Sequence, residues 1–523
     1  MNAFAEKHIV AIDLGTSKMS LTVTKVCGND IQIVYYKEAP SAGIKYSGVV
    51  NILHAYAPLT HLIQEAEEAL SIKINQAVIG MPKFPVRQES NSGMVPDRGE
   101  DTEITAEDIA NLKKFAQETY PLEDPKKEAI YGAVAQSFSD GEYFQIIEND
   151  IIGMTSDVLE GHFKIFIGKK KDLKNADNLL SRAGITSKKK YFTAETTAKA
   201  VLTDIEMENG VALVDFGGGS TSVTIYHGNI MRHYASIPFG GRSITNDIKS
   251  ELQISERLAE NIKLAFGACM PDRLQSLSEK VLHITGNPAE QAKEVTLKYL
   301  SEIITARVEE IIQAILYEIN ESGLAEHLRG GIVVTGGCAE MANLGILIKQ
   351  MSGYNVRTGY PLNTWSCQGI EGISATSAAT AIGLVQAALE EESMNCAVYE
   401  ERFHTELEAV EIVPAPAVIE TAEKEVVKES AVVEEPVVEV EPVAVPEVAV
   451  PEVKAPAAAP ETPAAVQEEE DEDYDPELED DDDENAFGKN GIGHKFMIFW
   501  GKAKRKIEKV GDRTDAMIDN ISE

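Results

Sequence analysis

Two far-separated segments of the chain follow one plan: an apolar strand ends on an aspartate, a glycine turn follows, and hydroxyl side chains lead into a second strand. The first is Ile9-Val-Ala-Ile-Asp13-Leu-Gly15-Thr16-Ser17-Lys18 and the second is Val211-Ala-Leu-Val-Asp215-Phe-Gly217-Gly218-Gly219-Ser220-Thr221. Strand-like runs at 8–13, 19–26 and 31–38 answer to runs at 211–215, 221–227 and 230–236, so architecture repeats where residues do not. In each copy a carboxylate stands at a strand end, beside backbone N–H groups that a glycine turn can aim at an anion. Lys18 adds a point charge for a phosphate, and Asp13 suits a magnesium ion held partly through water. Alone, either segment also fits an ordinary strand–turn–strand. Three consecutive glycines, however, weaken a hairpin unless its backbone must approach something closely. Two such turns facing each other would clamp a phosphate tail and its metal from both sides.

A third element, Gly330-Gly331-Ile-Val-Val-Thr335-Gly336-Gly337-Cys338-Ala-Glu340-Met341, reads as a strand, a glycine pair and a helix start. Its small residues leave room for a planar ring, although a plain strand-to-helix connection has the same look. In this order the three elements resemble the actin–DnaK–sugar-kinase superfamily, with a first phosphate loop at 9–20, a second at 211–226 and an adenosine loop at 330–344. The resemblance implies an α/β, two-lobed actin-like fold that takes ATP and Mg²⁺. Asp13 and Asp215 would serve as metal-positioning and catalytic carboxylates. Gly15, Thr16, Ser17, Lys18, Gly217, Gly218, Gly219, Ser220 and Thr221 would surround the phosphates, and Gly336, Gly337, Cys338 and Met341 the adenosine. Connecting helices are expected at 193–202 and 374–384. Glu260 and Lys263 in AENIKLAFG would lie near the ribose or adenine; an exposed i,i+3 ion pair is the plainer alternative. Glu195 in TAETTAKAVL is a candidate to orient water, with a surface or salt-bridge role as its alternative. Turnover, if any, is expected to be slow.

Within that superfamily, GIKYSGVVNI at 43–52, AVIGMP at 77–82 and IPFGGRSITNDI at 237–248 are similar to segments of the bacterial FtsA cell-division family. That resemblance implies a lobe 1 at 1–83 and 169–205, and an inserted α+β subdomain of the FtsA 1C type at 84–168. The insert reads as a helix at 105–119 and strands at 130–138, 143–147 and 162–167. Lobe 2 would span 206–372, and 373–400 would close the globular body. A kinase of the same fold acting on a small molecule is the alternative, but no distinct substrate-domain motif is found. A DnaK-type chaperone would carry a β-sandwich where this chain turns to proline-rich sequence.

The formal net charge is -37, which argues against nucleic acid as a partner. Much of the acid follows residue 400, in a linker over 401–490 dense in Pro, Ala, Val and Glu that cannot build a core. A random coil of that length spans on the order of 50 Å, and more with proline stiffening and charge repulsion. The five cysteines lie far apart with no metal-ligand spacing, as expected of a reducing compartment. No run of about 18 apolar residues offers a transmembrane helix, and no signal-peptide pattern opens the chain.

Helical patterning returns at 491–523. Over KFMIFWGKAKRKIEKV, Phe496, Phe499, Trp500, Ala503, Ile507 and Val510 share one narrow arc at helical spacing, while Lys502, Lys504, Arg505 and Lys506 take the flanks and opposite face. This is the composition of a helix lying in a membrane interface. Each buried aromatic adds at most about 1.5–3 kcal/mol, and each basic residue near an anionic leaflet about 1 kcal/mol. Such binding should be reversible, and the FtsA resemblance implies that it takes place on the cytoplasmic face of the cell membrane at the division site. Partners implied by the FtsA resemblance are the C-terminal peptide of the tubulin-like FtsZ, further copies of the chain in filaments, and later division proteins.

Overall fold

The computed structural model describes residues 6–399, except 96–98, 100–101, 285–292, 363–364, 368 and 392–393. The linker expected at 401–490 and the amphipathic segment at 491–523 lie outside the described residues.

Lobe 1 opens with β1 (Lys7–Leu14), β2 (Lys18–Cys27) and β3 (Asp30–Pro40), an antiparallel meander. Ile9, Val10, Ala11 and Ile12 are at most 2% exposed, because β1 is central and covered on both faces, as its unbroken apolar run demands. Helix α1 (Ile52–Leu70) starts where the Asn51 side chain accepts from the His54 N–H. It buries Ala55, Leu59, Leu62, Ile63 and Ala66, one face at helical spacing. The chain then returns as β4 (Gln76–Gly80), parallel to β1.

The insert follows at once: β5 (Val86–Val95), α2 (Ala106–Thr119), β6 (Glu128–Ser139) and β7 (Leu159–Lys169), with the three strands ordered β5-β7-β6. Thr105 and Asp108 close a reciprocal capping box at the start of α2. Two sequence expectations change here. The run 143–147 is not a strand: the Asp140 carboxylate accepts from the N–H groups of Glu142 and Tyr143, turning the chain, and Tyr143 and Phe144 face solvent. Only Ile146 pairs, with Phe138. The strand that completes the sheet is β5, whose polar Arg-Gln-Glu-Ser-Asn-Ser run gives no apolar alternation to read.

Lobe 1 resumes with α3 (Lys170–Arg182), β8 (Thr186–Tyr191) and α4 (Thr193–Val201), and its sheet runs β8-β4-β1-β2-β3. Lobe 2 repeats the plan. Strands β9 (Val211–Phe216), β10 (Thr221–His227) and β11 (Ile230–Ile237) form the meander. Helices α5 (Gly241–Leu252), α6 (Glu256–Phe266) and α7 (Leu297–Glu321) follow. Then β12 (Ile332–Thr335) and β13 (Val356–Thr358) add in parallel, giving the order β11-β10-β9-β12-β13. Both sheets are thus a hairpin triplet extended by two parallel strands from its first member. This duplicated topology is the actin-like fold.

A last helix, α8 (Ala379–Leu389), packs against α4. The crossing is close: a Cβ on Gly383 would stand 2.2 Å from the Thr196 carbonyl oxygen. The hydroxyls of Thr197 and Thr380 meet at 3.3 Å. The insert also leans on lobe 2. Gln88 accepts from the Tyr234 N–H at 3.0 Å, and Arg232 Nη1 donates to the Gln136 carbonyl at 3.0 Å.

Candidate functional site

Asp13 and Asp215 hold the same place in their strands, next to last, and each sits opposite a serine of its hairpin, Ser20 and Ser222. Both therefore arrive at the C-terminal edge of a central strand, where α/β sheets gather ligands. The cation between them is Lys83, from the segment that joins β4 to β5. Its ammonium forms an ion pair with Asp215 and donates to Thr380 Oγ1 at 3.1 Å. Its side chain is 12% exposed and that of Asp215 7%. Burial lifts the Asp13 carboxyl above the usual aspartate range; Lys83 opposes this and the neighbouring Asp215 reinforces it. For Lys83, burial alone would lower the ammonium, but Asp215 and Asp13 outweigh it and hold the group above its ordinary value.

The first loop is tied down mostly by side chains, with one main-chain bond from the Ser41 N–H to the Ser17 carbonyl at 3.0 Å. Ser41 Oγ donates to the Gly15 carbonyl at 2.7 Å, and Thr16 Oγ1 accepts from the Ser47 N–H at 3.0 Å. Lys18 pairs with Glu38, which also accepts from the Tyr36 hydroxyl and, at 3.4 Å, from Ser377. So the lysine expected at a phosphate is engaged by Glu38, and Lys83 stands among the carboxylates instead.

The second loop is tied by main chain. Gly217 O accepts from the Gly241 N–H at 3.0 Å, and Gly218 O accepts from the Arg242 N–H at 2.7 Å. Thr221 Oγ1 donates to the Phe239 carbonyl at 2.9 Å, and Ser220 O accepts from the Gly217 N–H at 3.1 Å. The two loops touch: a Cβ on Gly218 would lie 2.1 Å from Ser17 Oγ, and one on Gly219 2.6 Å from Thr16 Oγ1. Only glycine allows this approach.

In the third loop Gly336 has φ +89, and a Cβ there would meet Asp215 Oδ1 at 2.5 Å. Thr376 Oγ1 donates to its carbonyl at 2.8 Å. At Gly337 a Cβ would meet nothing within 4 Å. Cys338 donates its N–H to the Phe216 carbonyl at 3.1 Å, and burial pushes its thiol up to about 11. Met341 turns away, its sulfur 3.6 Å from Cys269 Sγ. Glu260 and Lys263 form a knot rather than the exposed ion pair that sequence spacing also allowed. Lys263 is buried, and its ammonium donates to Glu260 at 2.8 Å, to Thr245 Oγ1 at 2.9 Å and to the Gly241 carbonyl at 3.1 Å. It thereby braces the turn that holds the second loop.

Glu195 stands elsewhere. Thr197, two residues on, points toward Thr380 and so toward Lys83; two residues are about 200° of helix, which puts Glu195 on the other face. The charges acting on it are Lys113, Lys199 and Glu390, whereas Asp13 feels chiefly Lys83, Asp215, Lys18 and Glu38. Burial raises its carboxyl.

Among the described residues no three His, Cys, Asp or Glu side chains gather to hold a metal. Two carboxylates at one cleft fit a hard divalent cation that draws its remaining oxygens from phosphate and water. Glycine-lined loops, two strand-end aspartates and a lysine together suit a metal-bound polyphosphate. Lys83 itself was not read from the sequence. Its signal is its place directly after a central parallel strand, between Pro82 and Pro85.

A sequence profile described as "Cell division protein FtsA" matches residues 212–383. The cell division protein FtsA of Neisseria meningitidis serogroup B is 30% identical over 385 residues, covering 73% of this chain and 90% of that one. The chain belongs to the FtsA family. The Escherichia coli K12 FtsA is 26% identical over 372 residues, covering 69% of this chain and 86% of its own length. The span matched by the FtsA profile takes in Asp215, the second and third loops, Lys263 and Thr380. Among solved structures, a PilM–PilN type IV pilus biogenesis complex superposes over 73% of this chain and 98% of its own at a TM-score of 0.48 and 13% identity. No described helix is long and apolar enough to cross a membrane.

Proposed function

We propose that this FtsA-family chain binds ATP with Mg²⁺ in the cleft between its lobes, assembles into filaments, and ties the FtsZ ring to the cytoplasmic face of the membrane, where it recruits later division proteins. One observation carries the nucleotide reading: Asp13 and Asp215, equivalent in a duplicated fold, converge on a single lysine beneath three glycine-rich turns. Asp13 and Asp215 would hold the metal, which would screen the phosphate charge. The N–H groups and hydroxyls of residues 15–17 and 217–221 would line the phosphates, and Gly337, where a Cβ would meet nothing within 4 Å, leaves space for adenosine.

The membrane reading rests on the amphipathic arc of Phe496, Phe499, Trp500 and Ile507 with its basic flanks. Sedimentation of the full chain with anionic vesicles tests it. Binding should depend on Trp500 and fall several-fold in Trp500→Glu; unchanged binding refutes tethering through this face. Electron microscopy of the protein on lipid with Mg-ATP should show filaments. Phosphoryl transfer to a small molecule would instead favour a kinase.

A further inference from the structure

We propose that Lys83 recognises the terminal phosphate of a nucleoside triphosphate and sets the preference for triphosphate over diphosphate; this rests on the reading of the cleft as a nucleotide site. The placement of Asp215 argues for the terminal group. Its Oδ1 lies beneath Gly336 of the third loop, and its Oδ2 holds the Lys83 ammonium. The carboxylate therefore separates the side given to adenosine from the side where Lys83 stands, and a phosphate tail that starts at the third loop ends toward Lys83.

The donor count agrees. An ammonium has three N–H donors; Asp215 and Thr380 take two, leaving one for a further oxygen. Lys18, the other lysine near the carboxylates, is held by Glu38. A dication on Asp13 and Asp215 would weaken their hold on Lys83, and a phosphate oxygen is the acceptor that restores its pairing. The residue is also mechanically placed. Its carbonyl accepts from the Tyr234 hydroxyl of lobe 2 at 2.8 Å, and β5 of the insert begins three residues later.

The test is equilibrium binding of Mg-ATP and Mg-ADP to the full chain, wild type and Lys83→Gln, with folding checked by circular dichroism. Loss of one charge-assisted contact should weaken Mg-ATP about 10- to 100-fold and Mg-ADP less than about threefold. Mg²⁺ alone, without nucleotide, should bind the variant more tightly, because a competing cation has gone. Equal losses for the two nucleotides, or an unchanged ratio, overturn the proposal while leaving the nucleotide site intact. A wild type that binds neither nucleotide overturns the site reading and this proposal together. If Lys83→Gln does not fold, Thr380→Val carries the test: without the hydroxyl that positions the ammonium, the ATP-to-ADP preference should change at least threefold, and an unchanged preference overturns the role.

Discussion

The hairpin triplets of the two lobes place equivalent aspartates, yet they secure the following turn by different means. In lobe 1 the turn is held mostly by side chains, Ser41, Thr16 and the Lys18–Glu38–Tyr36 cluster, beside one main-chain bond from the Ser41 N–H to the Ser17 carbonyl at 3.0 Å. In lobe 2 it is held by its own carbonyls, which accept from the first N–H groups of α5. The carboxylates differ accordingly. Asp215 is paired directly with Lys83, while Asp13 feels that charge electrostatically and is raised by burial. Equal topology has therefore produced unequal electrostatics, and substitutions should separate the halves.

The largest separation is expected between the aspartates. Asp215→Asn removes the partner of a buried ammonium and should cost about 3 kcal/mol in denaturant unfolding without nucleotide. Asp13→Asn removes a charge that burial disfavours and should cost less than about 1 kcal/mol, or stabilise. Matching losses would show that the pair shares Lys83 evenly and would end the asymmetry.

A smaller effect is expected where the turns touch. Gly218→Ala should cost about 1–3 kcal/mol through overlap with Ser17 Oγ, whereas Ser17→Gly alone should cost less than about 1 kcal/mol. The double variant should recover part of the loss, because the residues are in contact and their effects should not add. Strict additivity would mean that the loops do not press on each other.

Much of this contrast was open to sequence reading, and its limits have physical causes. Strand, aspartate and glycine turn are local signals, so both carboxylates and all three turns could be placed from residue order. The duplicated sheet followed from the same periodicities. Lys83 meets Asp215 across 132 residues and Lys18 meets Glu38 across 20, and no local pattern announces such pairs. Strand β5 hides for another reason: its pairing comes from β7 beside it and not from its own polar side chains. Glu195 looks catalytic by residue type, but helical phase turns it from the cleft.

Lys18 sharpens the comparison further. With its ammonium engaged by Glu38, Lys18→Gln should change Mg-ATP affinity less than about threefold, against the larger loss expected for Lys83→Gln. A loss as large as that of Lys83→Gln would return the phosphate role to the lysine of the first loop.

The smallest effect is expected at the outer parallel strands, β8 and β13. In lobe 1, Lys190 of β8 pairs with Asp177 at 2.7 Å, and the carboxylate is the exposed member. In lobe 2, Arg357 grips Glu206 of the short helix Asp204–Asn209 through Nε at 2.6 Å and Nη2 at 2.7 Å, and Nη2 also reaches the Val201 carbonyl at 3.0 Å. Burial works to raise the Glu206 carboxyl, but the Arg357 and Thr203 hydrogen bonds prevail and hold it below its ordinary 4.5. A depressed carboxylate stabilises the fold above its unfolded value and loses that contribution as pH falls through the depressed one. Glu206→Gln should therefore lower stability at neutral pH by no more than about 1 kcal/mol, since Arg357 is partly exposed and screened, and should flatten the decline in stability below pH 4.5. Asp177→Asn should cost less than Glu206→Gln at neutral pH, because the Asp177 carboxylate is largely open to solvent. If the two variants lose equal stability at neutral pH, the additional hydrogen bonds of the lobe 2 pair have no electrostatic consequence, and the difference between the lobes is confined to the cleft.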